Sequence, residues 1–146
     1  MKLLVPRARA GIAAAAVLLS GAGVALSSAT PAAALSACSG HQAVYSASGA
    51  TASLPALNGS IYNCQLAKGN TGSGVTRLQI ALNLCYSAGL DTDGIFGDRT
   101  RAALVAAQKK AFPNDSGEWD GIYGPNTRDA IKWPWFTEAY YSCYKR

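Results

Sequence analysis

The chain has 146 residues, with 13 Lys and Arg against 8 Asp and Glu, one His and four Cys, and 14% of it is charged, well below the ~25% usual for a globular domain. Setting aside the first 34 residues leaves 112 with 10 basic and 8 acidic side chains, a balance of +2. The high pI therefore belongs mostly to the leader, and the remaining charges supply no basic stripe for nucleic acid.

The leader carries Lys2, Arg7 and Arg9, no acid and no aromatic, then an uncharged Ala/Leu/Val-rich run from Gly11 to Leu26 and small residues at Ala32, Ala33 and Ala34. This predicts a secretory signal peptide over residues 1–34. The apolar run is short for the ~20 residues of a membrane span, so no stable membrane insertion is expected after cleavage. The mature protein is expected outside the cell or on its wall. Leu35-Ser36-Ala37-Cys38 has the look of a lipobox with a lipidated Cys38, but it lies well beyond the apolar run.

Cys38, Cys64, Cys85 and Cys143 all follow the leader, and in an oxidising compartment two disulfides are the default. There is no CxxC pair and His41 is the sole histidine, which argues against zinc; no metal and no cofactor are expected.

Residues 35–68 are rich in Gly, Ser, Ala and Thr with isolated apolar side chains, and read as an irregular N-terminal arm. Ser53-Leu54-Pro55-Ala56 is too short to nucleate an element. The turn-rich stretch Lys68 to Gly74 opens a domain over residues 69–133, with Ser73 as a helix cap. Val75, Leu78, Leu82 and Cys85 then share one face of a first helix. Ile80 and Leu84 project from the opposite face and need cover, for which the arm is the nearest candidate. A second helix is expected from Asp98 to Ala111, with Thr100, Ala103, Leu104 and Ala107 inward. A third is expected to begin at Gly124-Pro125 and run through Ile131 to Trp133, where Pro134 stops it. Residues 134–146 form an aromatic tail.

The domain contains an internal repeat. Asp93-Gly94-Ile95-Phe96-Gly97 followed by Thr100-Arg101 recurs as Asp120-Gly121-Ile122-Tyr123-Gly124 followed by Thr127-Arg128, at an offset of 27 residues. Asp-Gly makes a turn because Gly tolerates positive φ and the Asp side chain bonds the backbone beyond it. The aromatic then points inward and a helix begins. Two copies make two equivalent loops.

With VTRLQIALN at residues 75–83, the loops DGIFGDRTRAAL and DGIYGPNTRDAIKW, and Gln108 near the end of the second helix, the segment Gly69 to Trp133 resembles the peptidoglycan-binding domain attached to many bacterial cell-wall hydrolases. The resemblance implies an all-α fold, a compact three-helix module, here with a disulfide-stapled irregular arm and tail. It also implies a shallow groove for peptidoglycan stem peptide or glycan, with no catalytic activity. The ligand-binding candidates are Asp93, Gly94, Phe96 and Arg99 in the first loop and Asp120, Gly121, Tyr123 and Arg128 in the second. The family usually has an aromatic before the second-helix glutamine, where this chain has Ala107, so Phe112 or Trp119 is expected to fold back and fill the volume.

Each candidate also has a structural reading. Phe96 and Tyr123 suit core plugs as well as ligand contacts. Arg99, Arg101 and Arg128 are more often solvated than functional, although stem peptides carry carboxylates that Arg grips bidentately. Tyr140, Tyr141, Tyr144 and Trp135 suit sugar stacking, or packing as a staple. Asp91-Thr92-Asp93-Gly94 fails as a calcium loop because Gly89 and Thr100 fall at ligand positions. Hydrolytic chemistry has little to work with: His41 sits in the arm with nothing evident to fix it, and neither Glu118 nor Glu138 has surroundings suited to a general acid.

Two functions follow: a secreted, monomeric, non-catalytic peptidoglycan-binding protein, or a secreted disulfide-stapled interaction protein, inhibitor or toxin-like, directed at a protein partner. For the cysteines, a Cys64 to Cys85 bridge would clamp the arm over Ile80 and Leu84, leaving Cys38 and Cys143 to join the termini; Cys38 to Cys64 with Cys85 to Cys143 is the next pairing.

Overall fold

Strand and helix share the chain in the computed structural model, which describes residues 34–146; the signal peptide expected over residues 1–34 lies outside the described residues apart from its last position. Strands β1 (Ser36–Ala37), β2 (Gly40–Tyr45), β3 (Thr51–Ala56) and β4 (Cys64–Gln65) precede helices α1 (Ser73–Tyr86), α2 (Asp98–Ala111) and α3 (Pro125–Ala130). A 3₁₀ turn (Ser116–Glu118) separates α2 from α3, and strands β5 (Lys132–Phe136) and β6 (Tyr141–Lys145) close the chain. The expected all-α, three-helix class is therefore wrong: three helices are present, packed against an antiparallel sheet in the order β2-β3-β5-β6, with β1 and β4 forming a parallel pair beside it.

The supposed irregular arm supplies half of that sheet. In β3, Ala52, Leu54 and Ala56 are buried, the period of two that defines a half-buried strand, written here in alanines that carry little apolar signal. Strand β2 pairs with β3 along its whole length, from Gly40↔Ala56 to Tyr45↔Thr51. The third helix is also shorter than expected. It ends at Ala130, Ile131 takes extended backbone (φ −79°, ψ 159°), and Trp133 and Pro134 belong to β5, which pairs with β6 through Pro134↔Cys143. Strands β3 and β5 pair only at Thr51↔Phe136. Each carries a proline, Pro55 and Pro134, with no N–H to give to a ladder, so each proline stands where its strand has a ladder on one side only.

Helix α2 covers the expected residues, with Gly97 as its N-cap, and α1 contains the expected face from Val75 to Cys85. Gly72 rather than Ser73 occupies the α1 N-cap, and the Ser73 hydroxyl meets His41 Nδ1 at 3.2 Å instead. The core joins Leu54, Leu66, Val75, Leu78, Leu82, Phe96, Leu104, Tyr123, Ile131 and Trp133, all fully buried. Sheet strands β2, β3 and β5 lie along α1, and Ile80 and Leu84 are half-buried.

The bridges are Cys38–Cys64 and Cys85–Cys143, which corrects the expected Cys64–Cys85 and Cys38–Cys143 pairing. The reason lies in the strands. Parallel pairing sets Ser36 against Cys64, and the Cys38 N–H donates to the Gln65 carbonyl at 2.9 Å, so Cys38 comes alongside Cys64. At the other end, the Lys132 N–H donates to the Tyr86 hydroxyl at 2.7 Å, which seats the β5–β6 ribbon against the last turn of α1, where Cys85 stands. Phe112 and Trp119 are half-buried and do not join the core beside Ala107. Instead the Trp119 indole donates to the Phe112 carbonyl at 2.9 Å, closing the α2–α3 connection on itself.

Candidate functional site: two glutamine-clamped loops and the trough beside them

Each repeated loop is held by a buried glutamine from the helix before it. Gln79 Nε2 donates to Asp93 Oδ1 (2.9 Å), to the Ile95 carbonyl (3.1 Å) and to Thr100 Oγ1 (3.3 Å), while its Oε1 accepts from the Gly94 N–H (2.9 Å). Gln108 repeats the set on the second loop: Asp120 Oδ1 (2.9 Å), the Ile122 carbonyl (3.0 Å), Thr127 Oγ1 (3.0 Å) and the Gly121 N–H (2.9 Å). One planar amide, with two donors and one acceptor oxygen, thus satisfies a whole turn. The aspartates also accept from the backbone two residues on, Asp93 from the Ile95 N–H at 2.9 Å and Asp120 from the Ile122 N–H at 2.8 Å. That N–H, with the Gln79 amide behind it, holds the Asp93 carboxyl below its ordinary pKa.

These contacts locate the candidates. Asp93, Gly94, Asp120 and Gly121 are bonded to the glutamine clamps. Phe96 and Tyr123 are fully buried in the core; Tyr123 packs edge-on against Trp133 at 5.9 Å, and burial pushes its phenol far above the usual tyrosine range. Arg128 is 5% exposed. It grips Asp129 bidentately, Nε to Oδ1 at 2.8 Å and Nη2 to Oδ2 at 2.6 Å, and donates from Nη1 to the Ile61 carbonyl at 2.9 Å. The Tyr62 ring lies 4.9 Å from its guanidinium and 5.0 Å from that of Arg146. The Arg128 guanidinium holds the Asp129 carboxyl down in turn.

Arg99 is exposed, its side chain 72% accessible. Its guanidinium touches only the Gly89 carbonyl (3.0 Å) and, loosely, Asp91 Oδ2 (3.5 Å). A recess of about 240 Å³ beside the first loop is lined by Asp91, Ile95, Asp98 and Arg99, and one of about 330 Å³ beside the second by Glu118, Ile122, Pro125 and Asn126. They share no lining residue. The first recess does share Leu90 and Arg99 with a trough of about 400 Å³ along α2, floored by Ala102, Ala103 and Ala106 and edged by Tyr86 and Lys110. Lys110 Nζ lies 5.7 Å from the Tyr86 ring centre.

Sequence reasoning missed Gln79 and Gln108 as organisers and Lys110 at the edge of the trough. A signal for the glutamines was present, since they precede their aspartates by 14 and 12 residues, a second repeat within the first. Among the described residues no three metal-ligating side chains come together.

Residues 71–131 match the family described as "Putative peptidoglycan binding domain". The chain is also similar to a "Probable N-acetylmuramoyl-L-alanine amidase" of Bacillus licheniformis, 42% identical over 71 residues, which is 45% of this chain and 18% of that relative's length. The chain thus spans less than a fifth of the curated relative it matches. No solved structure matches. The part of the chain that matches the peptidoglycan-binding family is thus the segment between the β4 strand and the β5 strand, with its two clamped loops.

Proposed function

We propose that the protein is a secreted, non-catalytic peptidoglycan-binding protein that takes a stem peptide into the trough between the first loop and α2. The family match over residues 71–131 carries the reading. Arg99 and Lys110 place two cations beside an alanine floor, which suits a chain of small residues ending in carboxylate, since Arg pairs with a carboxylate through two parallel hydrogen bonds. Two disulfides and the leader at residues 1–34 support export. His41 and Ser73 form a surface pair at 3.2 Å, but a serine nucleophile needs its base oriented by a third group, and the ring makes no other hydrogen bond among the described residues. The observation supports binding without hydrolysis.

Co-sedimentation with purified peptidoglycan tests the reading. Wild-type protein is expected in the pellet, and Arg99→Ala with Lys110→Ala is expected to weaken retention by about tenfold, the equivalent of ~1.4 kcal/mol. Recovery of folded wild type in the supernatant overturns wall binding. Release of new amino groups from the pellet overturns the non-catalytic assignment.

A further inference from the structure

A further concavity lies away from both loops. It is a groove of about 730 Å³ between the β2–β3 turn and the β5–β6 turn, within the ~300 to 1,000 Å³ typical of sites that enclose a small ligand. Three tyrosines stand in it with their rings in solvent: Tyr45 is 75% exposed, Tyr140 66% and Tyr144 63%. A staple role for Tyr140 and Tyr144 is excluded by these exposures. Trp135, half-buried, forms part of the wall, and its indole N–H has no acceptor among the described residues. Hydroxyls alternate with the rings, and Lys145 stands at the rim with no ion pair among the described residues. No acidic side chain lines the groove.

The walls are fixed before any ligand arrives. Ser46 closes its turn by accepting from the Ala50 N–H on Oγ (3.0 Å) while its own N–H donates to the Ala50 carbonyl (2.8 Å). Thr137 does the same across from it, its N–H and hydroxyl both donating to the Tyr140 carbonyl at 2.9 Å. Cys143, between the groove residues Ser142 and Tyr144, is bonded to Cys85 of α1. Preorganised walls lower the entropic cost of binding.

From this we infer that the groove is a second binding site, for the glycan strand of peptidoglycan, distinct from the trough on α2. The chemistry that fits is a pyranose: its axial C–H bonds meet the negative face of an aromatic ring, its hydroxyls pair with serine and threonine, and an acidic substituent meets Lys145. A protein partner fits less well, because a stable interface covers roughly 800 Å² on each side, more than a groove of this size presents. The choice of wall glycan over another saccharide rests on the peptidoglycan reading above.

The test uses the whole mature chain and a peptide-free tetrasaccharide of alternating N-acetylglucosamine and N-acetylmuramic acid, titrated by calorimetry, with insoluble peptidoglycan as a parallel arm. Binding of the tetrasaccharide is expected, weakened at least tenfold in Tyr45→Ala/Tyr144→Ala and within about threefold of wild type in Tyr45→Phe/Tyr144→Phe, which keeps the rings; thermal unfolding of both variants confirms that each is folded. Arg99→Ala is expected to leave tetrasaccharide affinity unchanged. Wild type that is retained on peptidoglycan but does not bind the tetrasaccharide overturns the second site alone, as does a folded alanine double variant of unchanged affinity. Failure of both arms overturns the peptidoglycan reading itself.

Discussion

The two loops share a motif and a clamp, yet their surroundings differ. Around the second, Arg128 is buried between Asp129, the Ile61 carbonyl and the Tyr62 ring, while backbone pairing of the aromatic is common to both loops, Tyr123 with Leu66 at 2.8 Å and Phe96 with Gly69 and Asn70 at 2.9 Å. Around the first, Arg101 occupies the place equivalent to Arg128, donates to the Asp120 carbonyl at 3.0 Å and stays exposed, while Arg99 stands where the second loop has Asn126. What the copies share makes the fold: Asp, Gly, the aromatic and Thr are consumed by the turn.

The clamps give the largest effects. Gln79→Ala and Gln108→Ala each delete three donated bonds and one accepted bond in a buried setting, leaving groups whose desolvation costs about 1 to 3 kcal/mol apiece. A loss of about 3 to 5 kcal/mol is expected for each, measured by chemical denaturation, with the two values within about 1 kcal/mol of each other because the bond sets correspond. A loss below about 1 kcal/mol at either position breaks the equivalence of the loops.

The arginines are expected to separate them. Arg128→Ala removes a bidentate ion pair and a buried bond to Ile61, and hydrogen bonds of charged groups contribute about 1.5 to 3 kcal/mol. The expected cost is about 2 to 3 kcal/mol, against less than about 1 kcal/mol for exposed Arg101→Ala. A loss of wall binding in Arg128→Ala is therefore read only after its stability has been measured.

The glycines sharpen the contrast further. Gly94 (φ +73°) and Gly121 (φ +72°) both take left-handed backbone, which costs another residue roughly 1 to 2 kcal/mol. A methyl at Gly94 would meet Thr76 Oγ1 at 2.8 Å and the Gly72 carbonyl oxygen at 3.1 Å, whereas at Gly121 it meets side chains only, Arg101 Cγ at 2.7 Å and Val105 Cγ2 at 3.1 Å. Arg101 is exposed and able to swing away. Gly94→Ala is expected to lose about 2 kcal/mol and Gly121→Ala about 1 kcal/mol in the same denaturation assay; the reverse order contradicts the contact geometry.

How much of this was legible varies with the strength of the local code. Helix α2 and the loops were written in strong signals: Asp-Gly turns, a Thr-Arg step, and apolar spacing of three and four. The sheet was not, because β3 alternates Ala with Ser and Thr around Leu54, and alanine marks a face only weakly. Residues 53–56 read as too short for an element and Pro134 as a helix stop, yet both prolines are accommodated at a seam that pairs only at Thr51↔Phe136. Missing the sheet then misplaced the disulfides, since Cys38 and Cys143 are positioned by strands β1–β4 and β5–β6. In the candidate site, the inward-pointing Phe96 and Tyr123 were legible and are buried, whereas the residue that organises each loop was not, because it sits on the preceding helix.

The smallest effect compares two carboxyls, Asp93 in the first loop and Asp129 beside the second. Both are held below the ordinary 3.8, Asp93 chiefly by the Ile95 N–H and Asp129 chiefly by the Arg128 guanidinium. For a carboxyl with a depressed folded-state pKa, the stabilising contribution is present in full above the unfolded value and is lost as pH falls through the folded one. Thermal midpoints should therefore hold steady between about pH 5 and 7 and decline below about pH 4. Asp129→Asn is expected to flatten that decline, because it removes the group whose protonation releases Arg128. Sodium chloride separates the two carboxyls, since ion pairs open to solvent are screened by salt while a backbone hydrogen bond is not. At 0.5 M salt the acid-labile share belonging to half-exposed Asp129 should shrink and that of Asp93 should persist in Asp129→Asn. An acid transition of unchanged depth in Asp129→Asn would mean that the Arg128 pair contributes nothing beyond packing, and the contrast between a charge-locked second loop and an open first loop would then rest on the burial of Arg128 alone.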